Sequence, residues 1–295
     1  MKILLATDGS EHSEGAANFL TRLDLSKEDE IAVLHALSWT PLISEWELMY
    51  GDLKEIRHEI APRILDSAVN ILKSHNAKIS SSIIDGYPDK VIVDKAADVD
   101  VDLVVMGASG LRGAGSLIVG SVTKAVAIKS PKPVLIIKAP QREVSGTMRI
   151  LFATDGSGHS DAMGKFLSSV PFPDDTEITI LNVIATAYEN IPKTFTMEIN
   201  ERIKKIVAIS RETEFKESGK IIKKAREYLG NRFASIEELT KIGDPSEEVL
   251  NVAETINADI IAVGTSGMRG IKGMLGSVSR YILNHSRCSV LIGKA

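Results

Sequence analysis

The stretch Leu-Val-Val-Met-Gly-Ala-Ser-Gly-Leu-Arg-Gly-Ala-Gly-Ser-Leu-Ile-Val-Gly-Ser-Val-Thr, residues 103–123, joins an apolar strand to a helix through a glycine-rich loop. Between Gly107 and Ser121 the glycines follow the spacing G-x2-G-x9-G-S. Glycines let backbone N–H groups approach a ligand closely, and a helix N-terminus favours negative charge. The stretch is typical of an anion-binding loop in an α/β fold, and we expect Gly120 and Ser121 to present free N–H donors.

Apolar runs and helical spacings alternate around this stretch. The runs that predict strands in the first half of the chain are residues 3–6, 31–37, 79–84, 103–106 and 134–138, and helical spacing occupies residues 11–23, 59–75, 91–97 and 121–128. Strands that alternate with helices pair in parallel, and a strand that is apolar throughout is covered on both faces. The sequence therefore predicts a doubly wound α/β domain with a five-stranded parallel sheet and helices on both faces.

The second half of the chain repeats the first. Residues 150–164 match residues 3–17 at nine of fifteen positions, and the glycine loop returns from residue 264 onward. A polar segment, residues 139–147, separates the last strand of the first copy from the first strand of the second. We predict two domains of the same fold, at residues 1–140 and 148–295.

Composition and charge exclude several classes of protein. With 35 Lys and Arg against 39 Asp and Glu, the chain has no global basic field for nucleic acid. Its apolar runs are too short for a signal peptide or a membrane span, and its lone cysteine, Cys288, indicates a reducing compartment; both favour a cytoplasmic protein. No Gly-Lys pair precedes Ser or Thr, and no G-x-G-x-x-G follows the first strand, which argues against P-loop and dinucleotide enzymes.

Four features occur in the same order in both halves. They are a Thr-Asp-Gly-Ser turn after the first strand, a Gly-x-Pro turn after the third (Gly86 to Pro88, Gly243 to Pro245), the glycine loop and the five-strand alternation. With them the chain resembles the universal stress protein family in its tandem, nucleotide-binding form. The resemblance implies a Rossmann-like, adenine nucleotide α hydrolase-like fold and an ATP, ADP or AMP ligand, with Mg²⁺ held through the phosphates. It also implies domain pairing through the last strands, with a homodimer as a further expectation.

The resemblance also implies binding residues. The aspartate after strand one would face ribose and base, the end of strand two would contact adenine, and the glycine loop would hold phosphates. The positions implied in the first copy are Thr7, Asp8, Ala36, Met106, Gly107, Ser109, Gly110, Gly120, Ser121, Val122 and Thr123. Those in the second copy are Thr154, Asp155, Val183, Val263, Gly264, Ser266, Gly267, Gly276, Ser277, Val278 and Ser279. No residue is assigned to catalysis or to direct metal binding.

The two copies differ in the loop itself. Eight residues separate Gly267 from Gly276, whereas nine separate Gly110 from Gly120. A loop shortened by one residue can be drawn inward by a distance comparable to a phosphate radius. We expect the first copy to bind a triphosphate more tightly than the second, although Arg269 and Lys272 add charge to the second.

Alternative interpretations remain open at this stage. Asp8 and Asp155 could simply cap the helices that follow them. The matching His12 and His159 are expected on an exposed first helical turn, and residues 41–52 read either as a binding lid or as a helix-packing surface. For the whole chain, a nucleotide-binding regulatory module competes with a slow ATP hydrolase and with a nucleotide-free scaffold. The motifs contain no carboxylate beside the phosphate loop that would act as a general base, which disfavours the hydrolase.

Overall fold

The computed structural model describes residues 1–37, 47–74, 76–109, 119–138, 146–185, 201–265, 267 and 274–294. Domain 1 contains β1 Lys2–Ala6, α1 Glu11–Leu20, β2 Glu30–Leu37, α2 Glu47–Leu72, β3 Lys78–Asp85, α3 Pro88–Asp98, β4 Leu103–Gly107, α4 Ser121–Lys129 and β5 Val134–Ile137. Domain 2 contains β6 Arg149–Ala153, α5 Gly158–Ser169, β7 Glu177–Ile184, α6 Glu201–Leu229, β8 Ser235–Ile242, α7 Pro245–Thr255, β9 Ile260–Val263, α8 Ser277–His285 and β10 Ser289–Ile292.

The ten strands in the described part of the chain form one sheet, in the order β3-β2-β1-β4-β5-β10-β9-β6-β7-β8. Neighbouring strands are parallel within each domain, and β5 and β10 pair antiparallel with Leu135 opposite Leu291. The last strand of each domain would be an apolar edge if it were left alone. Each strand covers the other, which confirms the predicted pairing of the domains through their last strands.

Two hydrophobic layers cover the sheet, and each layer extends across both domains. Helices α1, α2, α5 and α6 contribute to one layer, which includes the fully buried Phe19 and Phe152. Helices α3, α4, α7 and α8 contribute to the other, which includes Val126 and Ile282. Strand β4 is buried along its whole length because helices cover both of its faces. The doubly wound α/β class predicted for each half is confirmed.

Helix α2 differs from its prediction. It begins at Glu47 rather than at residue 59, and it continues through Pro62. Proline removes one helical hydrogen bond, but Leu65, Ala68 and Leu72 recur at helical spacing and are buried in the core that covers the sheet, which offsets that cost. Of the segment read as a lid or a packing surface, residues 47–52 belong to this helix, and residues 41–46 lie outside the described residues. None of the helices in the described part of the chain is long and apolar enough to cross a bilayer.

The winding of each half reverses beside its first strand. In domain 1, β2 and β3 lie on one side of β1, and β4 and β5 lie on the other. Domain 2 repeats this arrangement around β6. Crevices at the carboxyl ends of parallel strands form at such switch points, so each domain has one natural position for a ligand.

Candidate functional site

The turn after β1 is held by its own side chains. Ser10 caps α1 by accepting the N–H of Ser13 at 3.3 Å. The Thr7 hydroxyl donates to Ser13 Oγ at 3.1 Å and accepts the N–H of Gly9 at 3.3 Å. Serine therefore caps this helix, and the interpretation of Asp8 as the cap is wrong.

Domain 2 builds the same turn. Ser157 caps α5 by accepting the N–H of Ser160, and the Thr154 hydroxyl donates to Ser160 Oγ at 3.0 Å. Asp155 is not the cap in this domain either. The hydroxyl groups of Thr7 and Thr154, both predicted to bind ligand, are thus used inside their turns.

Each aspartate is fixed through one carboxylate oxygen. Asp8 Oδ1 accepts the N–H of Ser10 at 3.1 Å and its hydroxyl at 2.6 Å. Asp155 Oδ1 accepts the N–H of Ser157 at 3.0 Å, and its Oδ2 faces Gly267, where an added Cβ would lie 2.7 Å away. The glycine therefore leaves room for a carboxylate oxygen at the crevice, and that oxygen can accept hydrogen bonds from ligand hydroxyl groups.

A buried side chain from the second strand supports each turn. His35 Nδ1 lies 2.8 Å from the carbonyl oxygen of Thr7, and Asn182 Nδ2 donates to that of Thr154 at 2.7 Å. Because a carbonyl only accepts, Nδ1 of His35 carries the hydrogen. These two residues occupy matching positions in β2 and β7, and each orients the turn of its domain through a hydrogen bond with a backbone carbonyl.

The last glycine of the loop forms a backbone bond instead of presenting a free donor. The N–H of Gly120 donates to the carbonyl of Ala108, and that of Gly276 donates to Thr265, both at 2.8 Å. Our expectation of a free N–H at Gly120 is therefore wrong, because these bonds close the base of the loop. Both glycines lack a side chain that could cap the next helix, so the outward-facing donors are the N–H groups of its first turn, beginning at Ser121 and Ser277.

The third residue of each of these helices also forms a bond within the protein. Thr123 Oγ1 donates to the carbonyl of Gly107 at 3.0 Å, and Ser279 Oγ donates to that of Gly264 at 2.7 Å. These hydroxyl groups attach the helix to the end of the neighbouring strand. They leave the backbone N–H of both residues as the group that can face a ligand.

Gly107 and Gly264 have a packing role that the sequence did not predict. A Cβ on Gly107 would lie 2.7 Å from the carbonyl carbon of His12, and one on Gly264 would lie 3.0 Å from that of His159. The first helix thus packs directly on the strand end. His12 is consequently buried, with both ring nitrogens 3.4 Å from Ser109 Oγ, so its expected exposure is wrong; His159 is half-buried.

A cavity of about 520 Å³ opens at the carboxyl end of the domain 2 sheet. This volume is within the range of about 300 to 1,000 Å³ typical of small-molecule sites. Leu181, Val183 and Val263 contribute apolar walls from the sheet, and Asp155 and the start of α8 contribute polar ones. The cavity can enclose a ligand that has one apolar and one anionic part.

Most of the positions predicted for the second copy line this cavity. They are Thr154, Asp155, Val183, Val263, Gly264, Gly267, Gly276, Ser277, Val278 and Ser279, while Ser266 lies outside the described residues. In domain 1, Met106 and Ser109 are buried, Ala36 and Val122 are half-buried, Ser121 is exposed, and Gly110 lies outside the described residues. The structure thus brings the second set together around one space.

Eight further residues line the cavity without having been predicted: Ala153, Ser160, Leu181, Pro245, Val249, Met274, Leu275 and Arg280. The Gly-Asp-Pro turn before α7 was recognised as a motif. Because it is far from the glycine loop in sequence, its place in the cavity wall was not predicted. Arg280 follows Ser277 by three residues in the same helix, a spacing that places both on one face. Helical periodicity could have identified it.

The family model and one solved structure agree with the two-domain architecture. The sequence profile of the Universal stress protein family matches residues 1–138 and 146–294. A universal stress protein of Methanocaldococcus jannaschii is 29% identical over 147 residues, 48% of this chain and 84% of that protein. A universal stress protein structure from Archaeoglobus fulgidus covers 99% of this chain and 98% of its own, at 22% identity and a TM-score of 0.64. A family protein from Arabidopsis thaliana, solved with AMP bound, covers 47% of this chain and 91% of its own, at 20% identity and a TM-score of 0.35.

Proposed function

The chain belongs to the universal stress protein family, with two of its domains in tandem, and from this premise we propose that each domain binds an adenine nucleotide at the carboxyl end of its sheet. The observation that carries the proposal is the domain 2 cavity, which combines apolar walls, a carboxylate and a helix N-terminus. The protein would act as a stress-response regulatory module that changes state when nucleotide binds.

The parts of the cavity suit the parts of a nucleotide. Val183 and Val249 offer an apolar slot for a planar base, because the transfer of an aromatic ring from water to apolar surroundings is favourable. The carboxylate of Asp155 can accept hydrogen bonds from ribose hydroxyl groups. The first-turn N–H groups of α8, beginning at Ser277, can donate to phosphate oxygens, which the helix dipole also favours.

Magnesium enters this proposal only together with the phosphates. Asp155 is the single carboxylate among the described residues that line the cavity. Mg²⁺ is commonly bound by one or two carboxylates, phosphate oxygens and several waters. The nucleotide itself would therefore supply most of the ligands of any ion that accompanies it.

A regulatory role is favoured over efficient hydrolysis. Transfer of a phosphoryl group to water needs a residue that positions the water and charge that stabilises the transition state. Asp155 is fixed through Oδ1 by the turn and faces Gly267, which suits ribose better than an attacking water. Helix α8 connects the cavity to the interface between the two domains. It begins at Ser277 in the cavity wall, and its C-cap Ser286 accepts a hydrogen bond from Lys138 of domain 1.

The proposal is tested by thermal denaturation with and without ligand. Any molecule that binds only the native state raises stability by RT ln(1 + [L]/Kd) for each site, so ATP, ADP or AMP at a hundredfold excess over Kd should add about 2.7 kcal/mol per occupied site. Acid extraction followed by mass spectrometry would identify nucleotide that co-purifies. A nucleotide-free preparation that shows no shift with millimolar ATP, ADP or AMP would contradict the proposal.

Matched variants assign the binding to the turns. Asp155→Asn and Asp8→Asn keep the size of the side chain but remove its negative charge, and each should weaken nucleotide binding in its own domain. GTP serves as the ligand control.

Two further expectations need separate measurements. Light scattering on the purified protein tests the expected homodimer, and fractionation of the source cells tests the expected cytoplasmic location.

A further inference from the structure

Arg280 occupies a distinctive position at the mouth of the domain 2 cavity. It lies in the first turn of α8, and its side chain turns back so that Nη2 donates to the carbonyl of Leu275 at 2.9 Å. Leu275 immediately precedes Gly276, so this bond ties the end of the glycine loop to the helix. The guanidinium group is therefore held at the loop, where it lines the cavity.

The charge at this position is significant. Among the described residues that line the cavity, Arg280 is the single cation and Asp155 the single anion. A guanidinium group has five N–H donors in a planar fork that matches phosphate oxygens, and the bond to Leu275 uses one of them. The cavity thus has one end suited to hydroxyl groups and another suited to an anion.

We propose that Arg280 binds the phosphate of the nucleotide in domain 2 and makes this site select phosphorylated adenine ligands over adenosine. The proposal rests on the proposed function and extends it to specificity. Arg280 also compensates for the loop that is one residue shorter in domain 2, because a single side chain both fixes the end of that loop and supplies positive charge.

Domain 1 provides a natural comparison. Its helix α4 begins Ser-Val-Thr-Lys after Gly120, where α8 begins Ser-Val-Ser-Arg after Gly276, so Lys124 occupies the position of Arg280. An ammonium group is a compact, strongly hydrated charge without the planar fork of arginine. The two domains therefore offer different phosphate-binding chemistry at equivalent positions.

The test separates charge from structure. Arg280→Gln keeps an N–H donor for the Leu275 carbonyl but removes the charge. Calorimetric titration of the full chain should show that the affinity of the affected site for ADP falls about tenfold or more, while its affinity for adenosine stays unchanged. Arg280→Lys should retain most of the preference for ADP, and Lys124→Gln should leave the domain 2 affinities unchanged.

Each outcome has a distinct meaning. If the wild-type protein binds neither adenosine nor any adenine nucleotide, the proposed function itself fails. If it binds ADP and Arg280→Gln either binds equally well or loses ADP and adenosine affinity to the same extent, the role of Arg280 is refuted and the proposed function stands. Thermal melting of each variant shows whether it is folded, and Arg280→Met, which also removes the charge, decides the question if the glutamine variant is not folded.

Discussion

Lys138 of domain 1 donates from Nζ to the carbonyl oxygen of Ser286 in domain 2, at 2.8 Å. Ser286 is the C-cap of α8, where a cation is favoured by unpaired carbonyl groups and by the helix dipole. The contact has a symmetric counterpart, since Lys294 Nζ donates to Ala127 and Ile128 at the end of α4, at 2.7 and 3.2 Å. Each last strand thus leads to a lysine that binds the last helix of the other domain.

From these two lysines we predict that the free energy of unfolding increases at alkaline pH. Burial lowers the pKa of Lys138 and of Lys294 from 10.5 to about 8. In the unfolded chain both titrate near their ordinary value, so between pH 8 and pH 10.5 the unfolded state binds more protons and the free energy of unfolding rises with pH. Below pH 8 both states are protonated, and the full cost of burying the charges is present.

Denaturant unfolding at a series of pH values measures this effect. The double variant Lys138→Met, Lys294→Met removes both groups, and subtraction of its pH profile cancels the titration of all other residues. The wild-type protein should gain stability relative to the variant as the pH rises from 8 toward 10. Parallel profiles would show that the two lysines keep their ordinary pKa.

A second prediction concerns the packing of the first helix in each domain. Gly107→Ala places a Cβ 2.7 Å from the backbone of His12, and we expect this overpacking to cost about 1 to 3 kcal/mol of unfolding free energy. Gly264→Ala meets His159 at 3.0 Å and should cost less. Gly158→Ala, which adds a methyl group in open space, is the control. A wild-type melting temperature for Gly107→Ala would overturn the packing role.

A third prediction separates the effect of backbone conformation from the effect of steric contacts. Gly219 lies inside α6 and Gly230 directly follows it with a φ of +61°, and an added Cβ meets nothing within 4 Å at either position. Gly219→Ala should stabilise the protein by about 0.5 to 1 kcal/mol, because alanine loses less entropy in a helix. Gly230→Ala should destabilise it by about 1 kcal/mol, because the left-handed conformation is costly for alanine. Urea unfolding should therefore show changes in unfolding free energy of opposite sign for the two variants. Changes of the same sign would contradict this explanation.

The sequence predicts those parts of the fold that local pattern determines. Apolar runs locate the strands of domain 1 to within one or two residues, and the run is continuous in β4, which is buried on both faces. The pairing of β5 with β10 follows from two apolar edges that need cover. The predicted start of α2 was wrong because residues 55–60 are exposed, and the residues of this helix that join the core, such as Leu65 and Leu72, come only later in it.

The candidate site shows the corresponding limit. Motif spacing identifies the residues around the cavity, but it does not say which polar atoms already have partners. The N–H of Gly120 and the hydroxyl of Thr123 have partners within the protein, and these depend on how the loop returns to the strand. Helical periodicity could have placed Arg280 on the same face as Ser277, but its contact with Leu275 arises only when the helix and the loop are folded together.

The last prediction ranks the two sites. The nine-residue loop of domain 1, against eight in domain 2, leads us to expect tighter ATP binding in domain 1. Gly120 (ψ 158°) and Gly276 (ψ 160°) are extended, which is what a following proline requires, and proline is tolerated at the first helical position. Ser121→Pro and Ser277→Pro therefore each remove one N–H donor from a single site without breaking the helix.

Calorimetry with ATP distinguishes the sites. Each proline variant should lose about tenfold in affinity at its own site, as expected for one hydrogen bond to a charged group. Ser121→Ala and Ser277→Ala retain the N–H and serve as controls for the loss of the hydroxyl. Ser121→Pro should weaken the tighter of two binding events, and Ser277→Pro the weaker one. If Ser277→Pro instead affects the tighter event, the guanidinium group of Arg280 outweighs the length of the loop, and domain 2 is the stronger site.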